Sequence, residues 1–179
     1  MVRAENSITF RMVPSAAAQS CLPKANGRVT VSSLGPVENM HIEVRSLPPE
    51  TEFDFFVIQV PDEPFGLSMY QGDIETNEQG KGVGDFTGRF NKETFIVAPG
   101  SDVAPFIHNN AFPDATTNPP TGPVHTFHLG LWFSSPDDAA KAGCPNTVTP
   151  FNDEHNAGVQ VLNTSNFPKD QGPLIKLEP

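Results

Sequence analysis

Residues 37–60 read Val37-Glu38-Asn39-Met40-His41-Ile42-Glu43-Val44-Arg45-Ser46-Leu47-Pro48-Pro49-Glu50-Thr51-Glu52-Phe53-Asp54-Phe55-Phe56-Val57-Ile58-Gln59-Val60. In the first half, apolar Met40, Ile42 and Val44 alternate with Asn39, His41, Glu43 and Arg45, the period-two pattern of a strand with one wet face. After the Pro48-Pro49 turn the pattern changes. Phe53, Phe55 and Val57 fall on one side and Phe56, Ile58 and Val60 on the other, so this strand is expected at the centre of a sheet with both faces covered.

The same rhythm runs outward in both directions. Arg28–Leu34 ends at Gly35-Pro36, Thr51–Val60 at Pro61-Asp62-Glu63-Pro64, and Ser68–Thr76 at Asn77-Glu78-Gln79-Gly80, which leads into Gly82–Phe90 as a hairpin. Gly82, Gly84 and Gly88 mark bulges or close backbone approach in the returning strand. Ile8–Val13, Thr94–Ala98, Val124–Phe133, Val159–Asn163 and Leu174–Leu177 complete the strands. Short strands about ten residues apart predict an all-β fold, an antiparallel β-sandwich of Ig-like or jelly-roll-like type.

One helix interrupts the pattern near residues 136–142. Ser135 can cap it, Pro136 suits its first position, Asp137 and Asp138 favour its positive end, and Gly143 stops it. A length of 179 residues suits a single domain spanning 1–179, and 14 Gly with 19 Pro make it rich in turns. Residues 99–123 stand apart as a long Pro-rich loop, with prolines at 99, 105, 113, 119, 120 and 123. Loops of that length in a compact domain are usually functional or disordered.

A formal charge of −10 argues against nucleic acid and against anionic membranes, both of which recruit clustered Lys and Arg. No apolar run approaches the ~18–20 residues of a membrane-spanning helix, so a soluble chain is expected. Cys21 and Cys144 are the only cysteines. They form either one long-range disulfide or two buried thiols, and their loop-like surroundings favour the disulfide, which implies an oxidising compartment. Residues 1–7 lack the apolar segment of a secretory signal and read as a cytosolic start or as a mature end behind an added methionine. The cysteine pair and the low Lys content favour the second, and hence a secreted, extracellular protein.

The segments Leu47-Pro48-Pro49-Glu50-Thr51-Glu52-Phe53, Gly72-Asp73-Ile74-Glu75-Thr76, Gly80-Lys81-Gly82-Val83-Gly84 and Thr94-Phe95-Ile96-Val97-Ala98-Pro99-Gly100 together resemble a set of uncharacterised secreted bacterial β-sandwich proteins. The likeness extends through Cys144-Pro145-Asn146-Thr147-Val148 and the stretch from His155 to Asn163. It implies a fold and an address, and it carries over no catalytic residues.

Candidate sites lie mainly where the strand rhythm breaks. Phe106, His108, Asn109, Asn110 and Phe112, with Ile107, mix aromatic and amide groups in the loop 99–123, where a rigid sandwich would present a binding surface. Asp153, Glu154 and His155, flanked by Asn152 and Asn156, gather oxygen and imidazole donors that suit a divalent metal, although a polar turn bonding its own backbone is the simpler reading. His125 and His128 point to opposite faces of a strand and cannot readily share an ion. Asp73, Glu75 and Asn77 resemble the start of a calcium loop, but Glu78 stands where glycine is required. Asn163-Thr164-Ser165 matches an N-glycosylation acceptor.

No nucleophile elbow, zinc-binding helix or phosphate loop is present. These observations favour a non-enzymatic binding or surface module without a cofactor, its partner an unidentified protein or glycan, with homo-oligomers open through exposed edge strands. The alternative is a metal-dependent hydrolase or other metal-binding enzyme using the His, Asp and Glu of the loops.

Overall fold

The computed structural model describes residues 7–91, 126–151 and 155–177. Its strands are β1 (Ser7–Pro14), β2 (Asn26–Ser33), β3 (Glu38–Arg45), β4 (Glu52–Ile58), β5 (Ser68–Glu75), β6 (Gly82–Gly88), β7 (His128–Phe133), β8 (Thr149–Pro150), β9 (Asn156–Ala157) and β10 (Gln160–Asn163). Eight of them form one antiparallel sheet in the order β5-β4-β7-β10-β1-β2-β3-β6, and β8 pairs with β9 separately. The all-β, sandwich-like architecture expected from the strand rhythm is therefore present.

β1 folds the sheet over on itself. Its residues Ser7 to Met12 pair with β2, while Val13 and Pro14 pair with Asn163 and Leu162 of β10. The far edges, β5 and β6, are joined by the Asn77–Gly80 turn and a single bridge between Thr76 and Gly82, so the sheet nearly closes into a barrel.

The alternation in β3 appears as read. Met40, Ile42 and Val44 are fully buried and His41, Glu43 and Arg45 face out. β4 lies between β5 and β7 with both faces covered, as its double aromatic pattern requires. Phe53, Phe55 and Val57 enter the main core, where the Phe55 ring stacks on Phe86 of β6 at 5.2 Å between centroids. Gly72 lies under that stack, and a Cβ there would come within 2.7 Å of the Phe86 ring. Phe56 and Ile58 point the other way, into a second apolar cluster with Trp132 and Ala157.

The helix α1 spans Pro136–Lys141, with the Ser135 hydroxyl accepting from the Asp138 amide at 3.1 Å. It delivers Cys144 to Cys21, and the two form the disulfide with Cα atoms 5.2 Å apart. The expected strand at Leu174–Leu177 is instead a turn of 3-10 helix over Pro173–Lys176. Pro173 has no amide proton to give a ladder, and its fixed φ suits the first position of a helical turn. The expected strand at Thr94–Ala98 and the loop 99–123 lie outside the described residues.

Candidate functional site: an aromatic cleft beside three carboxylates

The second face of β4 carries, in order, Glu52, Asp54, Phe56 and Ile58, because every other residue of a strand shares a face. Cross-strand pairing sets their neighbours. Asp54 stands between Asp73 of β5 and Trp132 of β7, and Phe56 stands between Tyr70 and Gly130. Strict alternation would put Tyr70 and Asp73 on opposite sides of β5. The register shift between Phe55 and Phe56 inserts Gln71 as an extra residue, so both side chains emerge on the same face. The Tyr70 hydroxyl then donates to Asp73 Oδ1.

Two connections rise over this face. The first, Pro61–Leu67, is held by the Val60 amide on the Phe65 carbonyl at 2.9 Å and the Leu67 amide on Gln59 Oε1 at 3.1 Å. It places Phe65 at φ +61° and Gly66 at φ +69°. A bulky residue in the left-handed region is uncommon and carries strain, which concentrates at ligand clamps and active sites. The second connection is the β8–β9 hairpin, which brings in Phe151 and His155.

Between them lies a cleft of about 560 Å³ lined by Phe56, Phe65, Tyr70, Trp132 and Phe151, with Pro64, Leu67, Ser68, Thr149, Pro150 and Ala157 completing the wall. Phe56 is its centre, with ring centroids at 5.4 Å from Tyr70, 5.2 Å from Trp132 and 5.3 Å from Phe151. Phe65 meets Trp132 edge-on at 5.0 Å, and Tyr70 meets Phe151 at the same distance. Trp132 occupies the space beside Gly130, where a Cβ would collide with the indole. Its Nε1–H is buried and has no acceptor among the described residues. The chain has one tyrosine and one tryptophan, and both line this cleft.

Three carboxylates lie next to the cleft, behind Tyr70 and Trp132 of its wall. Oxygens from Glu52, Asp54 and Asp73 lie within 4.8 Å of one another. Asp54 is 1% exposed, yet among the described residues neither of its carboxylate oxygens accepts a hydrogen bond. Burial raises its pKa above the usual aspartate value; the Ser134 hydroxyl and His155 oppose the rise, and the charges of Asp73 and Glu52 add to it. Burial also pushes the Tyr70 phenol well above its ordinary value, reinforced by the bond to Asp73 and by the negative charge of Asp54 and Glu52. Beyond Glu52 a second basin of about 560 Å³ is lined by Glu50, Glu75, Glu78 and Asp138 together with Thr51, Thr76 and Asn77. Among the described residues, no Lys or Arg lines either cavity.

The oxygens of Glu52, Asp54 and Asp73 are donors of the type a hard cation takes. His155, expected from sequence as a metal ligand, reaches this cluster with Nε2 3.3 Å from Asp54 Oδ2. The same nitrogen lies 2.8 Å from the Ser134 carbonyl oxygen, so it carries a proton and donates there. Asp153 and Glu154, the other two expected ligands, lie outside the described residues, as do Phe106, His108, Asn109, Asn110 and Phe112.

Other motifs prove structural. His128 is fully buried, with Nδ1 2.8 Å from Thr164 Oγ1 and Nε2 3.0 Å from the Lys169 carbonyl oxygen. Asn163 of the glycosylation-like triplet is also fully buried, its amide donating to Pro61 O and Gln160 Oε1 at 3.2 and 3.0 Å, so the folded chain offers no acceptor there. Glu75 and Asn77 of the calcium-like string stay on the outer face of the hairpin, while Asp73 joins the carboxylates around Asp54.

A comparison with protein-family models finds no match, and a search of curated proteins finds none either.

Proposed function

We propose that this protein is a non-enzymatic, extracellular binding module whose site is the aromatic cleft, and that the cleft takes a small ligand with a compact apolar body. The observation that carries the reading is the convergence of five aromatic side chains from β4, β5, β7 and two connections on one cavity of about 560 Å³. Cavities of this size, mostly apolar with few polar groups, are typical of small-molecule sites. The strained Phe65 backbone at the rim and the unpaired indole N–H of Trp132 support it. The disulfide agrees with an oxidising compartment.

The test uses the only tryptophan as reporter. Benzyl alcohol, cyclohexanol and methyl glucoside are titrated while Trp132 fluorescence and the indole N–H resonance are followed. The first two are expected to shift both signals, methyl glucoside to leave them unchanged, and Phe151→Ala to weaken the response. An indole signal unmoved by all three compounds overturns the reading.

A metal-dependent hydrolase is the second reading, and the clustered oxygens of Glu52, Asp54 and Asp73 are what favour it. A stoichiometric divalent ion in protein purified without chelator, absent from Asp54→Asn, would support it.

A further inference from the structure

We propose that the ligand of the aromatic cleft is an organic cation, an alkylated ammonium whose charge is met by Asp54, Asp73 and Glu52 while its alkyl groups pack among the rings. This rests on the cleft being a binding site and specifies what enters it.

Position on the sheet is the first support. Asp54 precedes Phe56 by two residues on the same face of β4, about 7 Å along the strand, so carboxylates and rings are consecutive rows of one surface. Tyr70 joins the rows, because its ring lines the cleft and its hydroxyl is bonded to Asp73. The Gln71 bulge that makes this possible is a local departure from regular pairing, and bulges of this kind re-aim side chains beside functional sites.

Charge complementarity is the second. Aromatic faces carry negative potential and attract cations, and quaternary ammonium groups are recognised by cages of such rings. Here the rings adjoin three carboxylates, with a further acidic basin beyond Glu52 and no Lys or Arg among the described residues of either lining. An anionic ligand would be repelled, and a neutral one would leave the carboxylates without a role. A bare metal ion would be served by the carboxylate oxygens and would leave five rings without one. An alkylated ammonium uses both halves.

The third is the state of Asp54. A buried carboxylate ordinarily accepts at least one hydrogen bond, yet both oxygens of Asp54 lack one among the described residues: the Ser134 hydroxyl beside it is given to Glu52, and the proton on His155 Nε2 to the Ser134 carbonyl. A cation in the adjoining cleft supplies the missing counter-charge without needing a hydrogen bond.

The test compares choline with 3,3-dimethylbutan-1-ol, which has the same shape and no charge, by calorimetry and Trp132 fluorescence. Choline is expected to bind about tenfold more tightly than the alcohol, a preference that shrinks as salt is added. Asp73→Asn is expected to reduce that preference several-fold while leaving the alcohol's affinity in place. Equal affinity for the two compounds overturns the cation inference and leaves the cleft standing as a site. Binding of neither overturns both. If Asp73→Asn proves poorly folded, Glu52→Gln, which removes another of the three charges and keeps the side chain's shape, is measured in its place with the same expectation.

Discussion

His155 Nε2 lies 3.3 Å from Asp54 Oδ2 but gives its proton to the carbonyl oxygen of Ser134 at 2.8 Å, so the buried carboxylate beside the cleft has a neighbour and, among the described residues, no hydrogen bond. Asp54 accordingly has a folded pKa above its ordinary value, with burial as the main cause. A raised folded pKa means that the group's contribution to stability is fully present below the unfolded value and is lost as pH rises through the folded one. Asp54→Asn removes that loss. We expect it to stabilise the protein by about 1 kcal/mol at pH 7 and to have no effect near pH 3, as read from thermal unfolding at both pH values. Greater stability of the native protein at pH 7 would show that the carboxylate is compensated internally.

Glu38 is the contrasting case. It is almost as buried, but it accepts from the Phe90 amide at 2.6 Å and from Asn91 Nδ2 at 2.9 Å, fastening the chain beyond β6 to the start of β3. Glu38→Ala strands the buried Phe90 amide and should cost about 2–3 kcal/mol in denaturant unfolding. Two buried carboxylates are thus expected to respond with opposite sign, the deciding variable being their donors.

His128 sets a pH dependence of its own. Nε2 donates to the Lys169 carbonyl, so Nδ1 accepts from Thr164, whose hydroxyl oxygen in turn accepts from the Leu129 amide at 3.1 Å. The network specifies the neutral ring, and burial lowers the pKa below 6.5. With the folded pKa depressed, the stabilisation is present above pH 6.5 and is lost as pH falls through the folded value. Urea unfolding between pH 7.5 and 4.5 should show this fall, and His128→Gln should remove that part of it. A side-chain resonance of His128 titrating at or above 6.5 would contradict the assignment.

Local chemistry wrote the scaffold plainly. The alternation of Met40, Ile42 and Val44, the two-sided run Phe53–Ile58 and the Ser135-Pro136 helix start each depend on residues within one turn or one strand. The segment Leu174–Leu177, expected as a strand, is four residues long, too short for periodicity to distinguish a strand from a helical turn, and Pro173 is the local sign of the turn.

The cleft was illegible for a different reason. Phe56, Phe65, Tyr70, Trp132 and Phe151 lie on separate segments and meet only through strand order. The one local cue, Tyr70 and Asp73, is disguised by the bulge at Gln71, since period-two reasoning sends the two residues to opposite faces. His155 stands out in the sequence for its chemistry, but its neighbour Asp54 is about a hundred residues away, inside an aromatic strand. The usable signal was rarity, because a chain with a single tyrosine and a single tryptophan has placed both at one spot.

The Cys21–Cys144 bridge bears on how damage to this molecule would be noticed. Any peptide bond cut between those two positions, the Pro-rich stretch 99–123 included, leaves two fragments still covalently joined. A nicked molecule would keep its full mass, apart from one added water, until a reductant is added. Integrity checks on this protein therefore need paired gels with and without thiol, and a single clean band on the thiol-free gel is no evidence of an unbroken chain.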